Sequence, residues 1–320
     1  MTYNHLTISE LSFIQNFWNQ GIKAYKAAKA LKYSAETIYR VYRFLDAGNS
    51  ITEYYETYKA NKAKAGRKPI ILPDDELEYV KEKVALGWTP DTIIGRNERS
   101  ISCSMRTLYR IFKRSKDLDV TSLPMKGKRH PNRYVERRGK AGRLGRAITE
   151  RYKDYPNYND EFSHLEADTI QGKKHKGAVM TLVERNTKAT IILNTHHKTD
   201  KAIFEKLDAL LSATPKHLFK SITFDNGKEF SKWRDIANKH DINTYFADVG
   251  APNQRALNEH TNGLLRKDGL GKDMDLSDLS TDYVQQVASH RNNIPRKSLG
   301  YKTPLEVFMQ YITDEHLSLF

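Results

Sequence analysis

One cysteine, Cys103, is the whole thiol content of 320 residues. No disulfide can close within the chain, no cysteine-rich zinc site can form, and a reducing cytosol is the compartment this usage fits. Long apolar runs are missing as well. Nothing approaches the roughly 18 uninterrupted apolar residues of a membrane span, and the first residues lack a secretory-signal pattern. Acidic residues are scarce: 39 Asp and Glu face 53 Lys and Arg, a net charge of +14. The shortage is local. Residues 1–160 carry 31 basic against 18 acidic side chains, whereas residues 161–320 carry 22 against 21. A basic front half suits a polyanion, and without a basic amphipathic helix whose apolar face is free to insert, nucleic acid fits better than a membrane. Hydrophobic residues at 38% and aromatics at 10% are enough for two or three globular domains.

The front half reads as helical. Thr7 with Glu10 three residues later is a capping box, followed by Leu11, Ile14, Phe17 and Trp18 at helical spacing. Gly21 stops that helix, a short Ala-rich helix covers 23–31, and Ser34 caps a third over 35–45. Short helix, tight turn and second helix is the helix-turn-helix plan, which would offer Thr37, Arg40 and Arg43 to DNA. A plain three-helix bundle with a solvated charged face is the alternative. Residues 49–68 are polar, end in a basic stretch and read as a linker. A second helical set at 69–116 repeats the helix-turn-helix plan, with Thr89-Pro90 and Ser104 as starts and Arg106, Thr107, Arg110 and Arg114 outward toward DNA; that one unit binds DNA and the other only packs or dimerises is the alternative. Residues 117–157 read as a basic linker. Lys126, Lys128 and Arg129 within it would add sequence-independent, salt-sensitive affinity for phosphates.

From 158 to 320 the periodicity changes. Strands are predicted at 165–170, 178–183 and 190–193 with connections short enough for an antiparallel meander, then at 222–225 and 244–247 between helices. A mixed five-stranded α/β sheet covered by helices follows. Asp168 lies within the first strand, Asp225 ends the fourth, and Glu259 opens a helix after 33 intervening residues. If the two strands are neighbours, these acids form an oxygen-only cage suited to magnesium and to phosphodiester chemistry. Solvated surface acids are the plain alternative. Glu259, Asn262, Gly263 and Arg266 share one helical face, which would present a carboxylate, an amide and a guanidinium to substrate. Glu166 shares a strand face with Asp168 and reads as a supporting residue, with an alternative ligand as the other reading; His196 and His197 read as ordinary loop or sheet-edge residues, and Asp248 as a turn cap, with approach to the metals as its alternative.

The stretches Leu165-Glu-Ala-Asp168-Thr-Ile-Gln-Gly172, Phe224-Asp-Asn-Gly-Lys-Glu-Phe230, Tyr245-Phe-Ala-Asp248 and Gln254-Arg-Ala-Leu-Asn-Glu-His-Thr-Asn-Gly-Leu-Leu-Arg266 carry a resemblance. With His290-Arg-Asn-Asn-Ile-Pro-Arg-Lys-Ser-Leu-Gly300 and Thr303-Pro-Leu-Glu-Val-Phe308, the chain resembles the insertion sequence 30 family of bacterial transposases, which have a DDE integrase core of ribonuclease-H-like fold. It departs from the family's usual residues at Ala167, Asn253, Ala256 and His260, while the acids are intact.

The resemblance implies that Asp168, Asp225 and Glu259 are catalytic and ligate two magnesium ions, with manganese able to substitute. Lys228, Asn262 and Arg266 are expected to contact DNA. The implied activity is binding of terminal inverted repeats, metal-dependent hydrolysis of a phosphodiester and transfer of the freed 3′-hydroxyl to another. The implied partners are double-stranded DNA and a second copy of the chain on that DNA, not a membrane or a small-molecule substrate, and the implied location is the bacterial cytoplasm at the nucleoid. From a different class, a DNA-binding regulator whose integrase-like half is a silent dimerisation module would share the same motifs. A simple nuclease would leave the basic helical units without a purpose.

Overall fold

Thr7 starts the first helix as its sequence suggests: its side chain accepts from the Glu10 amide and Glu10 returns a bond to the Thr7 backbone. The computed structural model describes residues 6–64, 68–124, 144–249 and 251–312, in two compact units, Met1–Pro69 and Ile70–Phe320. In the first unit, helices α1 (Ile8–Asn19), α2 (Ala24–Leu31) and α3 (Ala35–Asp46) bury Leu11, Ile14, Ala27, Ile38, Val41 and Leu45 against one another. At about 1.5–3 kcal/mol for each large side chain removed from water, this small core is what holds three short helices together. The stretch read as a linker is largely helical where it is described. It forms helix α4 (Ile51–Lys64), because Ser50 and Glu53 make a second pair of capping bonds and Ile51 is buried in the same core.

The second unit opens with α5 (Asp74–Ala85), α6 (Pro90–Arg96) and α7 (Met105–Arg114), whose core is Val80, Trp88, Ile93, Leu108, Ile111 and Phe112. Ile294, from the far end of the chain, joins that core. Arg96 forks onto Glu306 at 2.8 and 2.6 Å and donates to the Tyr301 carbonyl at 3.0 Å. That fork holds the Glu306 carboxyl down at about 2. A short helix, α8 (Arg151–Asp154), leads into the sheet.

The sheet contains β1 (His164–Gln171), β2 (Ala178–Glu184), β3 (Thr190–Asn194), β4 (Ser221–Phe224) and β5 (Asn243–Phe246), in the order β3-β2-β1-β4-β5. The first three strands are antiparallel, while β4 and β5 run parallel to β1. Side chains alternate along β1 and sort the layers. Leu165 and Ala167 point to a core built with α9 (Asp200–Ala213) and α10 (Trp233–His240), through Ile203, Leu207 and Ile236. Ile170 points to the opposite core, shared with α11 (Ala256–Asp268) and α12 (Thr281–Asn292) through Leu265, Val284 and Val287. β2 is buried at every position because both faces are covered. The β1–β2 connection passes under residues 276–277, and at Gly177, with φ +71°, a Cβ would lie 2.1 Å from the backbone there. Helix α13 (Pro304–Met309) closes the described chain, again from a Thr303–Glu306 capping box. No helix among the described residues is long and apolar enough to cross a membrane.

Candidate active site

The parallel register of β1 and β4 pairs His164 with Ser221 and Glu166 with Thr223. Continued by two residues, the same offset sets Asp168 beside Asp225, one residue beyond the end of β4. Neighbouring strands lie about 4.8 Å apart, so two carboxylates at matched positions share one small volume. Each is held by backbone: the Thr169 amide donates to Asp168 Oδ1 and the Gly227 amide to Asp225 Oδ1, both at 2.8 Å. Asn262 donates its amide to Asp168 Oδ2 at 3.1 Å and accepts from the Thr181 hydroxyl at 2.8 Å. Burial pushes the Asp168 carboxyl above its usual range, and Asp225 adds to the rise while Arg255 opposes it.

Arg255 was not singled out by sequence reasoning, and it spans the pair. Its Nη1 lies 3.5 Å from Asp168 Oδ2 and its Nη2 3.6 Å from Asp225 Oδ2, while Nη1 also donates to the Ala167 carbonyl at 3.1 Å. A signal was available. Arg255, Glu259, Asn262 and Arg266 are spaced 4, 3 and 4 residues apart in the sequence, a helical spacing, although Arg255 itself caps α11 from outside the helix.

Two of the three acids therefore meet, and Glu259 stands apart. It is exposed, and among the described residues no three His, Cys, Asp or Glu side chains form a group able to hold a metal ion. Asn258, Asn262 and Leu265 anchor the buried face of α11, and one residue past Asn258 the helix turns about 100° away. Asn258 donates its backbone amide to Glu166 Oε2 at 3.1 Å and its side chain to the Glu166 carbonyl at 2.6 Å, which fixes that rotation. The aspartate pair supplies oxygen donors of the kind a hard divalent cation takes, so magnesium or manganese is suited in ligand type. In this arrangement the guanidinium of Arg255 neutralises the pair instead.

The remaining predicted residues are distributed as follows. Asn262, expected on DNA, is buried and spends its amide on Asp168 and Thr181. Arg266 is partly buried, its guanidinium 3.5 Å from the Gln171 carbonyl, and burial lowers its pKa while Asp168 opposes the fall. Lys228 is exposed just beyond Asp225. Arg40, Arg43, Arg106 and Arg110 are exposed, and Thr37 and Thr107 are partly exposed, each giving its backbone amide to the serine that caps its helix. Arg43 also lies 3.7 Å from Glu36. Arg114 donates to the Ile70 carbonyl, so part of its capacity is used within the protein. Lys126, Lys128 and Arg129 lie outside the described residues. Glu166 is buried and paired with Arg185, His196 bonds the Ser277 carbonyl at 2.8 Å, and Asp248 accepts from Gln254 at 2.8 Å.

No protein-family model matches the chain. It is 32% identical over 300 residues to a transposase for insertion sequence element IS4351 from Bacteroides fragilis, covering 91% of both chains. It is 29% identical over 330 residues to transposase InsI for insertion sequence element IS30C from Escherichia coli K12, covering 95% of this chain and 83% of that one. A chain of a solved simian T-cell lymphotropic virus intasome, in complex with a PP2A regulatory subunit, matches with a TM-score of 0.38 and 16% identity, over 45% of this chain and 53% of that one. At that score the likeness is too slight to build on.

Proposed function

Because the chain belongs to the family of insertion-sequence transposases, its function is DNA transposition, and we propose that Asp168, Asp225 and Glu259 carry the reaction. The observation that supports this most directly is the β1–β4 register, which makes neighbours of two aspartates 57 residues apart. The strand order, an antiparallel meander with two parallel strands added beside β1, is consistent with a ribonuclease-H-like core.

In this reading α1–α3 and α5–α7 are two helix-turn-helix units that bind the terminal inverted repeats, with Thr37, Arg40, Arg43, Arg106, Thr107, Arg110 and Arg114 toward the DNA. Hydrolysis of a phosphodiester frees a 3′-hydroxyl, which then attacks a second phosphodiester, so no covalent protein–DNA bond is needed. Asp168, Asp225 and Glu259 would hold magnesium, which when bound would supply Lewis acidity to the reaction. The chain's own part is positioning. Asn262 and the Thr169 amide orient Asp168, and the Gly227 amide orients Asp225. Lys228 and Arg266 supply positive charge toward phosphates. For Glu259 to join the pair, Arg255 withdraws from the aspartates and the start of α11 turns toward them. Two DNA ends have to be joined, so the active assembly on DNA is a dimer or larger.

The test is strand transfer of a labelled terminal-repeat duplex with magnesium. Asp225→Asn abolishes both cleavage and joining while repeat binding persists; undiminished joining would remove Asp225 from the mechanism. The position of Arg255 on the aspartates favours a second reading, a DNA-binding regulator whose core is silent. That reading requires tight repeat binding and no cleavage with any divalent cation.

A further inference from the structure

Beside the start of α11, with Gln254, Ala256 and Leu257 in its wall, lies a cavity of about 510 Å³, within the range of pockets that take small ligands. Arg151, Arg185 and Glu166 line it, together with Tyr152 and the apolar Ile148 and Leu257. Its charge does not balance. Glu166 is already used, with one oxygen on Arg185 and the other accepting from the Asn258 amide. Arg151 is left with no carboxylate partner among the described residues although it is only 4% exposed. Its Nη1 and Nη2 donate to the hydroxyls of Tyr158 and Tyr152 at 3.2 and 3.0 Å, and its Nε has no partner. The guanidinium lies 4.2 Å from the centre of the Tyr158 ring and 5.0 Å from that of Tyr152. Aromatic faces and neutral hydroxyls only partly stabilise a buried cation, and an uncompensated charge inside a fold is one of its most costly features.

We infer that this cavity binds one nucleotide of a DNA strand, with the phosphodiester on Arg151 and the base against Tyr152 and Leu257. An anion at the cavity supplies the missing counter-charge, and a guanidinium's planar fork suits phosphate oxygens. An aromatic ring and an aliphatic wall accept any base by its face. Position supports the same ligand. Glu166 in the cavity wall and Asp168 in the pair are alternate residues on one face of β1, about 7 Å apart along the strand. Gln254 and Ala256 line the cavity while Arg255 between them reaches the aspartates. A DNA strand whose scissile phosphate sits at the pair has a neighbouring nucleotide within reach of the cavity. The inference rests on the transposase reading for its choice of DNA as the ligand.

The test is binding of a short single-stranded thymidine oligonucleotide to the full chain carrying Asp225→Asn, without divalent cation, so that loss of catalysis cannot affect the result. Arg151→Gln is expected to weaken binding about tenfold and to lower the slope of log affinity against log salt by about 0.7, the value for one phosphate contact on a single strand. Arg151→Lys retains most of that slope. Leu257→Trp fills the cavity without changing its charge and weakens the oligonucleotide about tenfold, which keeps the test decisive if Arg151→Gln fails to fold. Equal binding by the parent and Leu257→Trp overturns the proposal. So does inorganic phosphate that protects the protein from thermal unfolding as well as the oligonucleotide does, in parent and Leu257→Trp alike, because that describes an anion site with no place for a base. If these expectations are met but the chain with Asp225 intact fails to cleave repeats with magnesium, the proposed catalysis is refuted and the nucleotide site stands.

Discussion

Arg255→Ala isolates the charge balance at the aspartate pair. In the native arrangement one guanidinium lies 3.5 and 3.6 Å from two carboxylates that are 23% and 24% exposed. At an effective dielectric near 20, each such contact is worth about 4 kcal/mol of gross attraction. Desolvation of the three groups and partial access of water cancel most of this. Removing the guanidinium also leaves two like charges facing each other, and breaking a buried pair in this way costs about 3–5 kcal/mol. Allowing for the exposure of the aspartates, a net loss of about 2–3 kcal/mol at neutral pH is expected. The same change should favour divalent cations, which then have no guanidinium to displace. Each 1.4 kcal/mol so released is tenfold in affinity, so magnesium or manganese binds Arg255→Ala at least tenfold more tightly than the parent. Thermal unfolding without metal and calorimetric titration of manganese into DNA-free protein measure the two effects. Strand transfer is predicted to fall all the same, because the aspartates lose the guanidinium that holds them in place. An unchanged melting temperature together with an unchanged manganese affinity would refute the coupling between Arg255 and the pair.

Asn262→Ala leaves Asp168 Oδ2 and the Thr181 hydroxyl short of a buried partner, so about 1–3 kcal/mol of stability is lost in denaturant titration, and strand transfer falls more than repeat binding does. Glu306 has its pKa lowered from 4.5 to about 2 chiefly by Arg96, so its contribution is present above pH 4.5 and is lost as pH falls toward 2. With the Glu306 side chain 43% exposed, about 1 kcal/mol is the discounted size. Glu306→Gln should flatten the acid limb of a stability-versus-pH profile by that amount. Gly177→Ala places a Cβ against the backbone at 276–277 at a positive φ, and a loss of about 2 kcal/mol or more in thermal unfolding is expected.

Much of this molecule is local information. Caps at Thr7, Ser34, Thr89, Ser104 and Thr303 start helices because a side-chain oxygen satisfies a backbone amide only a few residues away. Runs of β-branched and aromatic residues mark β2, β3 and β4, and the short β1–β2 and β2–β3 connections already imply an antiparallel meander. Even the meeting of Asp168 and Asp225 follows once β1 and β4 are assumed to be neighbours. The helix within the stretch read as a linker was also decided locally, by the Ser50–Glu53 bonds and a single buried isoleucine, but both signals sit in a polar stretch that hides them. What the order of residues could not disclose is rotation and reach. Which way α11 turns depends on Asn258 and Asn262 finding Glu166, Thr181 and Asp168, at least 77 residues away along the chain. Arg255, at the non-helical cap that precedes α11, lies on the aspartates, while Glu259, in the first turn of the helix, is exposed. The unbalanced charge of Arg151 is equally invisible in one dimension, because a missing partner can be recognised only after every neighbour has been placed.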